Sequence, residues 1–128
     1  ILLYILYMIA SAPTFKTQHK FEERLSESGR VRNKYPQRFP VIVERNPLCV
    51  DIDDIDKHKY LVPGDLTMGQ LIYVIRKRIK NFSSEKAIFL FMNETMPTTG
   101  DNIANLYSKY KDEDGFLYVT YAGENTFG

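Results

Sequence analysis

Apolar and polar positions along the chain fall into segments of two periods. From Phe21 to Lys34 the chain is highly charged, and Phe21, Leu25, Ser28, Val31 and Tyr35 recur on one stripe at helical spacing. Gly29 lowers helix stability and offers a break. Tyr35-Pro36 ends the segment, because the residue before a proline is pushed out of the helical region. The β-branched run Val41-Ile42-Val43 within Arg38–Arg45 predicts a strand. Pro40 cannot donate to a ladder, so it places that strand at an edge or marks its start. Lys59-Tyr60-Leu61-Val62 reads as a second strand, closed by Pro63-Gly64. Thr67-Met68-Gly69-Gln70 matches a capping box with Leu66 and Leu71 at staple positions. Met68, Leu71, Ile72, Ile75 and Ile79 continue as an apolar helical stripe. Arg76, Lys77, Arg78 and Lys80 fall in the last turns, where positive charge suits the helix dipole. The unbroken apolar run Ala87–Met92 predicts a buried central strand. Ile103, Leu106, Tyr107 and Tyr110 predict a short amphipathic helix, and Phe116–Tyr121 a last strand.

Two strands, a crossing helix, then two strands around a short helix describe an α+β chain. The expected sheet is a mixed, four-stranded β-grasp with an added helical segment in front. The length of 128 residues suits one domain with one core. The net charge of +1 hides a segregation. Residues 14–45 carry +4, residues 46–66 carry −3, residues 67–86 carry +4 and residues 87–128 carry −4. Such a dipolar surface favours partners with acidic segments. The same blocks also read as ordinary solvated faces.

Candidate chemistry is sparse. A single cysteine, Cys49, excludes an internal disulfide and a cysteine zinc site, and its apolar neighbours Leu48 and Val50 favour a structural or semi-exposed thiol over a nucleophile. His19 and His58 lie in lysine-rich contexts with no triad partner in view. Asp51, Asp53, Asp54 and Asp56 lack the glycine and terminal glutamate of a calcium loop and read as a solvated acidic turn. No phosphate-binding glycine loop is present. The cluster Arg76–Lys80 is the one candidate for phosphate contact, and the near-zero net charge speaks against nucleic acid. The expectation is therefore no enzyme, no catalytic residue, no metal and no cofactor. The apolar run Ile1–Ala10 is too short to span a bilayer and has no basic segment before it. Residues 1–13 are expected to be an extension outside the domain, with residues 1–7 a cloning or upstream-translation remnant before Met8; an apolar anchor is the alternative.

Several segments together resemble one known family. They are Phe21-Glu22-Glu23-Arg24, Lys34-Tyr35-Pro36, Pro40-Val41-Ile42-Val43-Glu44, Asp56-Lys57-His58-Lys59-Tyr60-Leu61-Val62-Pro63 and Asp65-Leu66-Thr67. Gly69-Gln70, Ile75-Arg76-Lys77-Arg78, Asp112-Glu113-Asp114-Gly115-Phe116-Leu117-Tyr118 and Phe127-Gly128 continue the match. The chain resembles the autophagy ubiquitin-like modifiers of the GABARAP type over about residues 14–128, which is the expected modifier domain. Three departures stand out: His58 where the family commonly has lysine, an extra residue around Leu48–Asp54, and residues 1–13, which match nothing.

The resemblance implies a ubiquitin-like β-grasp fold with two N-terminal helices. It implies conjugation of the Gly128 carboxyl to phosphatidylethanolamine by activating and conjugating enzymes, with a cysteine protease for processing and delipidation. The lipidated protein would sit on autophagosomal membranes, or in some lineages on a plastid-like organelle, and otherwise in the cytoplasm. There it would recruit receptors through a short motif, an aromatic residue followed three positions later by Leu, Ile or Val. Glycine suits the conjugated position because it has no Cβ and threads a narrow enzyme channel. By resemblance, Glu27, Val31, Pro40, Ile42, Lys59, Leu61 and Phe116 form an aromatic pocket. Tyr60, Val62, Pro63, Leu66, Leu71 and Val74 form an aliphatic pocket, and Arg38, Lys57 and Arg78 meet acidic flanks. Strand alternation agrees in part, since Lys59 and Leu61 share one side and Tyr60 and Val62 the other. The alternative function is an adaptor for trafficking or the cytoskeleton that binds the same motifs without lipid.

Overall fold

The computed structural model describes residues 1–4, 13–124 and 126. Two capping boxes set helix starts. Thr14 opens α1 (Phe15–Gln18), with its hydroxyl accepting from the Thr17 amide and Thr17 answering the Thr14 amide. Thr67 does the same with Gln70 at the start of α3 (Met68–Arg78). Between them come α2 (Phe21–Lys34), β1 (Arg38–Arg45) and β2 (Lys59–Pro63). After α3 follow β3 (Ile88–Phe91), α4 (Ile103–Tyr110) and β4 (Leu117–Gly123). Gly29 does not break α2; a Cβ there would meet nothing within 4 Å, and the helix runs through it.

The strands form one four-stranded sheet in the order β2-β1-β4-β3. β1 pairs antiparallel with β2 and parallel with β4, and β3 pairs antiparallel with β4. This is the mixed β-grasp sheet expected from the element order. Two strand expectations need correction. Ala87–Met92 is not a central strand: β3 lies at the sheet edge, its burial alternates, and Phe89 is 37% exposed. The apolar run hid that alternation. Pro40 lies within β1, which is an interior strand. It is tolerated because pairing of β1 with β4 begins only at Val41, so at Pro40 the strand has a neighbour on the β2 side alone.

The period of two sorts the sheet into two faces. Val41, Val43, Leu117, Val119 and Tyr121 point into the main core with Met68, Leu71 and Ile75 of α3 and Ile103, Leu106 and Tyr107 of α4. Ile42, Phe116 and Tyr118 point the other way and meet Phe15 of α1 in a small second cluster. The predicted stripe on α2 is divided: Ser28 and Val31 face inward, and its other three members do not. Phe21, Leu25 and Tyr35 are exposed, and the residue the helix buries is Ser28, at 2%. α2 docks by polar contacts, described next. Cys49 is buried, the structural rather than the semi-exposed alternative, although its neighbours Leu48 and Val50 are exposed.

Candidate functional site

Among the described residues, the sheet face that carries α1 and α2 is incompletely covered. A cavity of about 520 Å³ opens there, between α1, α2 and β2. It is lined by Phe15 and His19, by Glu27 and Val31, by Pro40 and Phe116, and by the segment Lys57–Leu61. Phe15 and Phe116 meet edge to face at 5.1 Å, and Phe15 also lies 4.7 Å from the His19 ring. Lys59 pairs with Glu27 across the mouth and lies 5.9 Å from the Phe15 ring centre. Lys57 sits 5.5 Å from the Tyr60 ring centre. The cavity is thus an aromatic-walled hollow whose rim carries Lys57 and the Lys59–Glu27 pair. β2 runs beside it as an edge strand, with β1 its one partner in the sheet. An edge strand beside a hollow can accept an extended peptide as a further strand, with the hollow taking a side chain.

Six of the seven residues expected for the aromatic pocket line this cavity: Glu27, Val31, Pro40, Lys59, Leu61 and Phe116. Ile42 does not. It is fully buried behind Phe15 and Phe116, because strand alternation turns it into the small cluster beneath the cavity. Phe15, His19 and His58 line it as well and were missed. The overlooked signal was the box Thr14-Phe15-Lys16-Thr17, which starts a helix that brings Phe15 and His19 over the sheet. The aliphatic set is divided. Val62 and Leu71 belong to the main core at 5% and 1% exposure, whereas Val74 is 37% exposed. Tyr60 and Leu66 are half-buried against that core, and Pro63 is half-buried at the end of β2. Of the flank charges, Lys57 lines the aromatic cavity. Arg38 lies by a separate hollow with Pro63, Gly64 and Asn102. Arg78 lies 3.5 Å from Asp56. Burial pushes the Tyr60 hydroxyl group upward against the opposing pull of Arg78. Gly128, the expected conjugation site, and Phe127 lie outside the described residues.

A buried polar knot fixes the far wall of the cavity. Arg24 of α2 donates to Asp114 at 2.5 Å, and Asp114 is fully buried. Asp114 also accepts from the Phe116 amide at 2.8 Å and from the Tyr118 hydroxyl. Ser28 donates to the Asp114 carbonyl at 2.6 Å. Gly115 has φ +88°, and a Cβ there would lie 2.3 Å from the Ser28 oxygen, so glycine is required for this approach. Burial lowers the Arg24 affinity for its proton, but the hydrogen bonds to Asp114 and Tyr118 outweigh that and raise it overall. Burial, then the Asp114 carboxylate, raise Tyr118 well above the usual phenol range, which keeps it a donor. Next to the knot, Lys16 of α1 pairs with Asp112 at 2.6 Å. Burial opposes ionisation of Asp112, but the Lys16 bond and the Asp114 amide together hold its carboxyl below the usual range.

Among the described residues no helix is long and apolar enough to cross a membrane, and no group of three or more His, Cys, Asp or Glu side chains is placed to hold a metal. The sequence model of the family described as "Autophagy protein Atg8 ubiquitin like" matches residues 23–128. Autophagy-related protein 8e of Arabidopsis thaliana is 58% identical over 114 residues, which is 89% of this chain and 92% of that relative. Autophagy-related protein 8 of Mycosarcoma maydis is 58% identical over 114 residues, 89% of this chain and 95% of that relative. The crystal structure of Trypanosoma brucei ATG8 superimposes with a TM-score of 0.82 at 45% identity, covering 92% of this chain and all of that one.

Proposed function

Because the chain belongs to the Atg8 family of ubiquitin-like autophagy proteins, we propose that it acts as a non-enzymatic tether: a modifier joined through Gly128 to phosphatidylethanolamine, which gathers receptors by docking their short aromatic-x-x-aliphatic motifs along β2. The carrying observation is the aromatic-walled cavity, with Lys57 on its rim, beside the edge strand. The motif's aromatic side chain enters between Phe15, Phe116 and Leu61, its backbone pairs with the free edge of β2, and its aliphatic side chain settles over Pro63, Leu66 and Val74. Val62 and Leu71 form the floor of that second position, since both are core residues. Acidic flanks meet Lys57, with Arg38 and Arg78 further along.

In this reading the membrane contact is the lipid on Gly128, delivered by activating and conjugating enzymes and removed by a cysteine protease. The lipidated form resides on autophagosomal membranes and the free form in the cytoplasm. The match of the family's sequence model through residue 128 supports Gly128 as the conjugated position.

Two measurements test the two halves. Calorimetry with an aromatic-x-x-Leu peptide should show Leu61→Ala weakening binding by about tenfold or more, while Lys57→Ala, an exposed charge, weakens it by roughly fivefold at most. The reverse ranking would remove the assignment of the cavity. Reconstitution with the family's conjugation enzymes and phosphatidylethanolamine vesicles should lipidate the wild type and leave Gly128→Ala free. If both stay free while the peptide still binds, the protein is an adaptor without lipid.

A further inference from the structure

The chain has two histidines, and both line the aromatic cavity. They arrive from different walls: His19 is the C-cap of α1, and His58 directly precedes β2. His58 is held in one tautomer. Its Nδ1 lies 2.8 Å from the Val43 carbonyl oxygen, an atom that only accepts, so Nδ1 carries a proton whether the ring is neutral or charged. The second proton therefore belongs to Nε2. That atom lies 3.8 Å from Asp54, on a side chain 45% exposed. Histidine is the side chain whose charge ordinarily changes between about pH 5 and 8.

The fixed charges around the two rings nearly cancel. Facing His58 are Asp54 from the preceding loop, its neighbours Lys57 and Lys59, and Glu27 of α2; from β1 it meets the neutral Val43 carbonyl. Facing His19 are Glu23, Arg24, Glu27 and Arg30 of α2, which line an adjoining hollow with it, and Lys59 across the cavity. Lys59 is paired with Glu27 and Arg24 with Asp114. Lys57 is left as the main fixed cation of the rim, so two protonated imidazoles would change its charge substantially.

We propose that His19 and His58 are specificity-determining residues that favour peptides carrying carboxylates next to the docked aromatic residue, and that they do so more strongly as the pH falls. The inference rests on the reading of the cavity as a peptide-docking site. Each protonated ring adds a donor at the rim that a carboxylate can use and a neutral flank cannot.

The test is titration calorimetry of the full chain at about pH 7.5 and about pH 5.5, across the histidine range. The probes are a peptide with three glutamates before Trp-x-x-Leu and its counterpart with three glutamines. Glutamate, with an ordinary value near about 4.3, stays largely ionised at both pH values, so the peptide does not supply the titration. The acidic peptide should bind about threefold to tenfold more tightly at the lower pH, the range expected for two exposed charge contacts, and the glutamine peptide should not. In the double variant His19→Gln, His58→Asn the ratio of acidic-peptide to glutamine-peptide affinity should no longer change between the two pH values, whatever its affinity for the glutamine peptide. Asn is chosen at 58 because its amide can still donate to the Val43 carbonyl. Binding that is tight but indifferent to pH, or a gain that persists in the double variant, overturns the inference and leaves the docking site standing. Failure of both peptides to bind at either pH removes the docking reading, and the inference with it.

Discussion

α3 and the pair α1–α2 cover opposite faces of one sheet, and they are held by different kinds of contact. α3 presents Met68, Leu71 and Ile75, each at most 1% exposed, to Val41, Val43 and the main core. α2 buries Ser28 and holds on through Arg24, while α1 contributes one apolar side chain, Phe15. An apolar interface tolerates no gap and closes over itself. A polar knot fixes position through a few directed bonds and leaves space around them. The cavity lies where the second kind of contact is used, so the incomplete cover on that face is what leaves the hollow proposed for docking.

The sharpest way to test the contrast is to damage each anchor in turn. Ile75→Ala deletes three carbons from a fully buried site and should cost about 4 kcal/mol, near the upper part of the range for such truncations. Denaturant unfolding should show a lower midpoint with an unchanged slope, because the main core fails as a unit. Arg24→Met should cost about 2 to 3 kcal/mol, since it leaves Asp114 buried without its cation while retaining some of the packing. Its loss should be local: amide exchange should quicken in α2 and at Asp112–Phe116 ahead of α3 and β1, with peptide affinity falling in step. Uniform quickening across the chain would show that the two faces are one cooperative unit.

The same contrast decided what was legible from residues alone. α3 announced itself, because a capping box and an apolar stripe of the right period are written into consecutive residues. The strand alternation at Lys59–Val62 was equally local: it separated Leu61 from Val62, and the structure turns Leu61 toward the cavity and Val62 toward the core. The docking face of α2 was legible only in part. Ser28 and Val31 of the predicted stripe face inward, whereas Phe21, Leu25 and Tyr35 are exposed, and the polar anchors Arg24 and Ser28 find partners 90 and 86 residues away. Phe15 and His19 escaped because a four-residue helix has no period to read, and its one local signal is the Thr14–Thr17 box. Leu71 and Val62, expected to line the aliphatic pocket, belong to the main core, and an apolar residue suits either place. Exposure, which separates the two, appears only in the folded chain.

The smallest expected effect concerns the outermost tie, Lys16 to Asp112. Their side chains are 47% and 27% exposed, so solvent screens the pair and its worth is under about 1 kcal/mol. The direction is nonetheless fixed. The Asp112 carboxyl is held below its usual range in the folded chain, with the Lys16 bond prominent among the causes that overcome burial. A lowered carboxylate stabilises the fold above its unfolded value, near about pH 4, and that contribution fades as the pH falls through the folded value. Unfolding of the wild type and of Asp112→Asn should therefore differ at neutral pH, and the gap should close in acid. The gap reports both partners of Asp112, because the variant also weakens acceptance from the Asp114 amide. Repeating the comparison in a Lys16→Met background isolates the ion pair, whose share should shrink further in about 1 M salt. If the gap is the same with and without Lys16, the ion pair adds nothing, and α1 is held by the Phe15 ring and by the bond from the Phe15 amide to Glu44.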